Sequence, residues 1–86
     1  MLCQVYRSPR RTEMYLYVEK TEGLARVPAE LLQRFGEPES IMLLHLDGER
    51  RLARADADEV KLLVAEQGYY LQMPPTLAEL LRRETE

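Results

Sequence analysis

Two alternating stretches open the chain. Residues 2–7 and 13–19 read as strands, and Ser8-Pro9-Arg10-Arg11-Thr12 between them is short enough for a hairpin loop. In the second stretch Met14, Leu16 and Val18 point one way and Tyr15 and Tyr17 the other. Cys3 and Val5 are expected to join the aliphatic face, with Tyr6 beside the tyrosines, because a slip of one residue would mix the two faces. Both faces carry apolar groups, so both are expected to be covered.

The spacing then changes. After a turn at Thr21-Glu22-Gly23, Pro28 suits a first helical position, Leu31, Leu32 and Phe35 form one stripe, and Gly36 and Pro38 lie beyond it. This predicts a helix over 28–35. Ile41-Met42-Leu43-Leu44-His45-Leu46 is almost continuously apolar, the pattern of a strand buried on both faces, and is placed at the sheet's centre. Asp47-Gly48 signals a turn, and 49–54 is polar apart from Leu52, which suits a loop or a short edge strand.

Asp56 with Glu59 three residues on reads as a capping box, and Val60, Leu63 and Val64 give the stripe of a helix that closes at Gly68 in a left-handed conformation. Tyr69 to Met73 is aromatic-rich and strand-like. Pro74-Pro75 stops further pairing, and Thr76 with Glu79 launches a last helix. The order β-β-α-β-α-β-α, with a central strand apolar on both sides, predicts an α/β fold: a three-layer α/β/α sandwich on a mixed four-stranded sheet.

Length and composition narrow the function classes. Eighty-six residues make one domain, 1–86, with a single modest core. The only cysteine, Cys3, rules out an internal disulfide and points to a reducing, cytoplasmic setting. No apolar run approaches the ~20 residues of a membrane span, and the first residues lack the order of a secretion signal. A net charge of −3 argues against a general nucleic-acid binder. Locally, residues 1–12 carry Arg7, Arg10 and Arg11 without an acid, whereas 56–66 are acidic.

Tyr6-Arg7-Ser8, Tyr15-Leu16-Tyr17-Val18-Glu19-Lys20, Arg26-Val27-Pro28, Leu31, Phe35-Gly36, Leu46-Asp47-Gly48 and Glu66-Gln67-Gly68-Tyr69-Tyr70-Leu71-Gln72-Met73-Pro74-Pro75 resemble, in order and spacing, the YcgL-domain family of small bacterial proteins. The likeness covers residues 3–75. It implies an α/β/α sandwich and carries no activity with it, since the family was named as a domain of unknown function without a catalytic motif.

Candidate chemistry is sparse. His45 is the only histidine, in the most apolar strand, and is assigned to packing in or at the core; no neighbouring sequence supplies the partner a general base needs. Metal sites need several ligands, and one His with one Cys offers too few, so no metal or cofactor is expected. Asp56 and Asp58 sit where acids favour a helix start. The tyrosines fit sheet packing. Arg7, Arg10 and Arg11 at the hairpin tip and Arg50, Arg51 and Arg54 in the polar loop are the candidate partner-binding residues, because guanidinium forks suit carboxylate or phosphate. The expected function is a non-enzymatic cytosolic interaction module with a protein partner and weak RNA association. The alternative is a small enzyme or ligand binder using a cleft near His45, Tyr69 and Tyr70.

Overall fold

The computed structural model describes residues 1–46 and 57–74, with Ala78 and Leu81 in helical conformation beyond them. Strands β1 (Leu2–Arg7) and β2 (Tyr15–Glu19) form the hairpin; helix α1 (Ala29–Phe35), strand β3 (Glu39–His45), helix α2 (Ala57–Gln67) and strand β4 (Tyr70–Gln72) follow. The fold is α/β, and among the described residues these six elements form a four-stranded sheet with two helices. Apart from Ala78 and Leu81, the last predicted helix lies outside the described residues, as do the 49–54 segment and the caps at Asp56 and Thr76.

Strand order is β3-β1-β2-β4, and every pairing is antiparallel. The expectation of a mixed sheet is therefore corrected. The reason is topological: β3 starts opposite Arg7, at the hairpin end where β2 also starts, so it runs with β2. Landing beside β1, it meets a strand of opposite direction.

Among the described residues β3 is an edge strand, which corrects the central position read from its apolar run. Ile41, Met42 and Leu43 are 42, 48 and 47% exposed, and only Leu44 and Leu46 of that run are buried. Continuous hydrophobicity marks apolar side chains, not covered ones. The interior strands are β1 and β2. A bulge displaces β3 where Val5 pairs with Met42 and Tyr6 with Ser40, leaving Ile41 unpaired. Gln4 spans it, its amide donating to Ser40 Oγ (2.7 Å) and the Met42 carbonyl (2.8 Å).

The hairpin register also differs from expectation by one residue. Cys3 faces Glu19, Val5 faces Tyr17, and Tyr6 faces Leu16, so Cys3 and Val5 share the tyrosine face and Tyr6 the aliphatic one. Sorting aliphatic from aromatic side chains gains nothing where both faces carry apolar clusters. Here each face has its own cluster, so mixing tyrosine with small aliphatics sacrifices no burial.

One cluster joins Cys3, Val5, Tyr17, Leu44 and Leu46 to Ala57, Val60 and Val64 of α2, a helical stripe at three- and four-residue spacing. The other joins Met14, Leu16 and Val18 to Val27 and Phe35, with Leu31 and Leu32 of α1 packed against it. Tyr17 stacks edge-to-face on Tyr70 (5.8 Å between centroids) and donates its hydroxyl to Gln72 Oε1 at 3.1 Å, so its polar tip is satisfied where it is buried.

Candidate functional site

The hairpin tip is assembled around one buried hydroxyl. The Ser8 amide donates to the Met14 carbonyl (3.0 Å) and closes the loop, and Glu13 takes a positive φ of 61° to bring the chain back into β2. Ser8 Oγ donates to the Phe35 carbonyl at 2.5 Å and accepts from the amides of Arg10 and Arg11, both at 3.1 Å. A short polar side chain that bonds backbone groups two and three residues on is the usual device for tightening a turn. Here the same oxygen also ties that turn to the end of α1.

The three tip arginines then part company. Arg7 pairs with Glu39 across the β1–β3 boundary (2.9 Å); both are about half exposed, and the carboxylate holds the guanidinium's pKa above its ordinary value. Arg10 turns inward over α1: its Nη1 donates to the Gln33 carbonyl at 3.0 Å, and its aliphatic stem lies against Gly36. The Arg11 side chain is exposed and has no hydrogen-bond or ion-pair partner among the described residues.

These groups surround an open groove of about 370 Å³, with Arg7, Arg10, Arg11, Glu13, Tyr15 and Glu39 on its walls. Arg7, Tyr15 and Glu39 reach it from neighbouring positions, since Arg7 pairs with Tyr15 on one side and with Glu39 on the other. Three guanidinium groups against two carboxylates leave a net positive site on a chain of net charge −3.

Arg50, Arg51 and Arg54 lie outside the described residues. His45 is exposed on β3, which corrects the packing role assigned to it: its side chain falls on an edge strand and has little to pack against. Tyr70 sits on β4 at the opposite edge, with β1 and β2 between them, and Tyr69 packs in the cluster that holds Phe35 while Tyr70 packs in the other. The structure does not bring His45, Tyr69 and Tyr70 together. Among the described residues there is no group of three or more His, Cys, Asp or Glu able to hold a metal, and no helix long and apolar enough to cross a membrane. Burial raises the pKa of the Cys3 thiol, with Glu19 adding to the effect and the N-terminal ammonium opposing it.

The YcgL domain pattern matches residues 3–75. The chain belongs to the YcgL domain family. It is 52% identical over 83 residues to Protein YcgL of Escherichia fergusonii, a match covering 96% of this chain and 86% of that protein. Against Protein YcgL of Escherichia coli and of Shigella boydii identity is 51% over 83 residues, covering 96% of this chain and 77% of theirs. Glu39 and Tyr15, which complete the groove of this YcgL domain, were not singled out from sequence. Their signal was the register, because only the pairing partners of Arg7 identify them.

Proposed function

We propose that this YcgL domain is a non-enzymatic interaction module of the cytoplasm that meets a protein partner through the hairpin tip. The observation that carries this reading is Arg11, an exposed cation without an internal partner among the described residues, on the wall of a groove with net positive charge. Arg7 adds a second guanidinium, half exposed and already holding one carboxylate. A lone buried thiol suits the reducing cytoplasm. The scaffold is a three-layer α/β/α sandwich, a reading supported by the two clusters, one containing α1 and the other α2.

RNA is the second reading, favoured by Tyr15 beside Arg7 in the groove, where a base could stack. With Arg10 engaged by α1, two phosphate contacts remain, which sets a salt slope of only about −1.4 at ~0.7 per contact. The test is affinity capture from a lysate with the wild type and an Arg7→Ser/Arg11→Ser double variant, reading proteins by mass spectrometry and RNA by sequencing. A defined set of proteins lost with the double variant is expected; identical capture by both overturns the proposal.

A further inference from the structure

We infer that the groove at the hairpin tip is a receptor for a single acidic side chain, Asp or Glu, presented by an exposed segment of a protein partner; this rests on the interaction-module reading above. The groove already contains the chemistry it would repeat. Glu39 Oε2 sits 2.9 Å from Arg7 Nη2, a carboxylate held by a guanidinium through one of its nitrogens. The Arg11 side chain lines the same groove without a partner among the described residues, and Arg10 is held aside by the Gln33 carbonyl. Guanidinium forks accept carboxylates in two-point geometry, so Arg11 can take an incoming carboxylate while Arg7 shares or exchanges Glu39.

Charge decides between ligand classes. The groove's walls carry three positive and two negative side chains, which suits one monoanion. A polyanion must bring several charges up to a chain of net −3, and the field of the whole molecule opposes it beyond the groove. One carboxylate flanked by neutral residues meets only the local positive site. The groove's volume, about 370 Å³, exceeds a carboxylate and leaves room for the side chain bearing it.

This arrangement makes Glu39 a built-in competitor. Replacing it with Gln removes one negative charge and releases Arg7, so a variant that loses an acid should bind an acidic ligand more tightly. The experiment is an NMR titration of the amides of residues 7, 8, 10–15 and 39 with the capped peptide Ac-Gly-Ala-Glu-Ala-Gly-NH2, its Gln-for-Glu analogue, and an eight-residue oligouridylate, each at millimolar concentration. The Glu peptide is expected to shift those amides and the Gln peptide to leave them in place. Arg11→Ser should weaken the Glu peptide about threefold, the scale of one exposed ion pair, and Glu39→Gln should strengthen it by a similar factor. Arg34→Ser, which removes the same charge from α1 away from the groove, should change nothing.

Three outcomes overturn the inference: no shifts at the tip with the Glu peptide, equal weakening by Arg34→Ser and Arg11→Ser, or tip shifts with the oligouridylate stronger than with the peptide. If the Glu peptide fails while lysate capture still depends on Arg7 and Arg11, the tip remains a partner surface of different specificity. If both fail, the interaction reading falls as well.

Discussion

At the end of α2, Gly68 takes φ 93° and its amide donates to the Val64 carbonyl, while Arg26 reaches in from the loop before α1 to donate to the carbonyls of Ala65 (3.3 Å) and Glu66 (2.6 Å). At the end of α1, Gly36 takes φ 90°, its amide donates to Leu32, and Arg10 arrives from the hairpin to reach Gln33. Each helix leaves its last carbonyls without helical partners, and each is closed by a glycine in the left-handed region under a guanidinium from elsewhere in the chain. α2 has no basic residue in its own last turn, so Arg26 supplies the charge that complements the helix dipole there. The difference lies in what surrounds the two arginines. Arg26 stands beside Glu22 in a purely structural contact, whereas Arg10 stands next to Arg11 and an open groove. The comparison separates a cap from a proposed binding surface, and it shows that an exposed arginine at a loop tip can be holding its own protein together.

Gly68→Ala should produce the largest effect. A Cβ there would collide with Arg26 Cβ and lie 2.9 Å from its Cδ and Nε, and the backbone conformation already disfavours any L residue. A loss of about 2–3 kcal/mol is expected in urea unfolding. At Gly36 the nearest atoms are Arg10 Cγ and Pro9 Cγ at 3.0 Å, in a loop with more room to give, so Gly36→Ala should cost less. In an Arg26→Gly background the Gly68→Ala penalty should shrink, because the colliding Cβ is removed together with the stem beyond it. Strict additivity of the pair would show that Arg26 is not what excludes a side chain at position 68.

Ser8→Ala tests the other end. It deletes a buried hydroxyl that makes three hydrogen bonds and leaves the Phe35 carbonyl without that donor. About 1–3 kcal/mol should be lost, and amide exchange should quicken at Arg10 and Arg11 as well as in the last turn of α1. Quickening confined to the hairpin would mean that the Ser8–Phe35 contact does not couple the two elements.

Alkaline pH probes the face under α2, away from both helix ends. The thiol of Cys3 and the phenol of Tyr17 are raised above their ordinary values of 9.0 and 10.0, in each case chiefly by burial. The unfolded chain therefore releases these protons before the folded one does. The stabilisation is complete below about pH 9 and is lost as pH rises through the thiol's and then the phenol's range. Urea midpoints measured from pH 7 to about 10.5 should fall, and Cys3→Ala should flatten the first part of the decline. A midpoint independent of pH across that window would contradict the burial of both groups.

Much of this was legible in the sequence, and the failures share a cause. Gly68 as a helix stop, the alternation of Met14, Leu16 and Val18 against Tyr15 and Tyr17, and the span of α1 follow from local rules that need only a few neighbouring residues. What could not be read locally was who lies opposite whom. The edge position of β3, the exposure of His45 and the register of Cys3 and Val5 depend on pairing, which composition along one strand does not encode. The same holds for the site. Arginine content marked the tip, but Glu39, 32 residues away from Arg7, and the capture of Arg10 by α1 appear only when β1 and β3 are paired and α1 is docked.

The smallest expected effect is the one that most sharpens the contrast, because it falls between adjacent residues. Arg10 and Arg11 are both exposed in the same loop, and both amides bond Ser8. Only Arg10 spends its side chain on a helix end, donating to Gln33 and covering Gly36 with its methylenes. Arg10→Ser should therefore lower stability by about 0.5 kcal/mol, the scale of a charge at a helix C-terminus, while Arg11→Ser should leave it within the error of a urea titration. Salt separates the contributions further, since a dipole interaction at the surface is screened and the packing of the stem is not. The Arg10→Ser loss should shrink but persist in high salt. Equal stability for the two variants would return Arg10 to the groove as a third binding cation, and the tip would then carry one more contact than the two assigned to it.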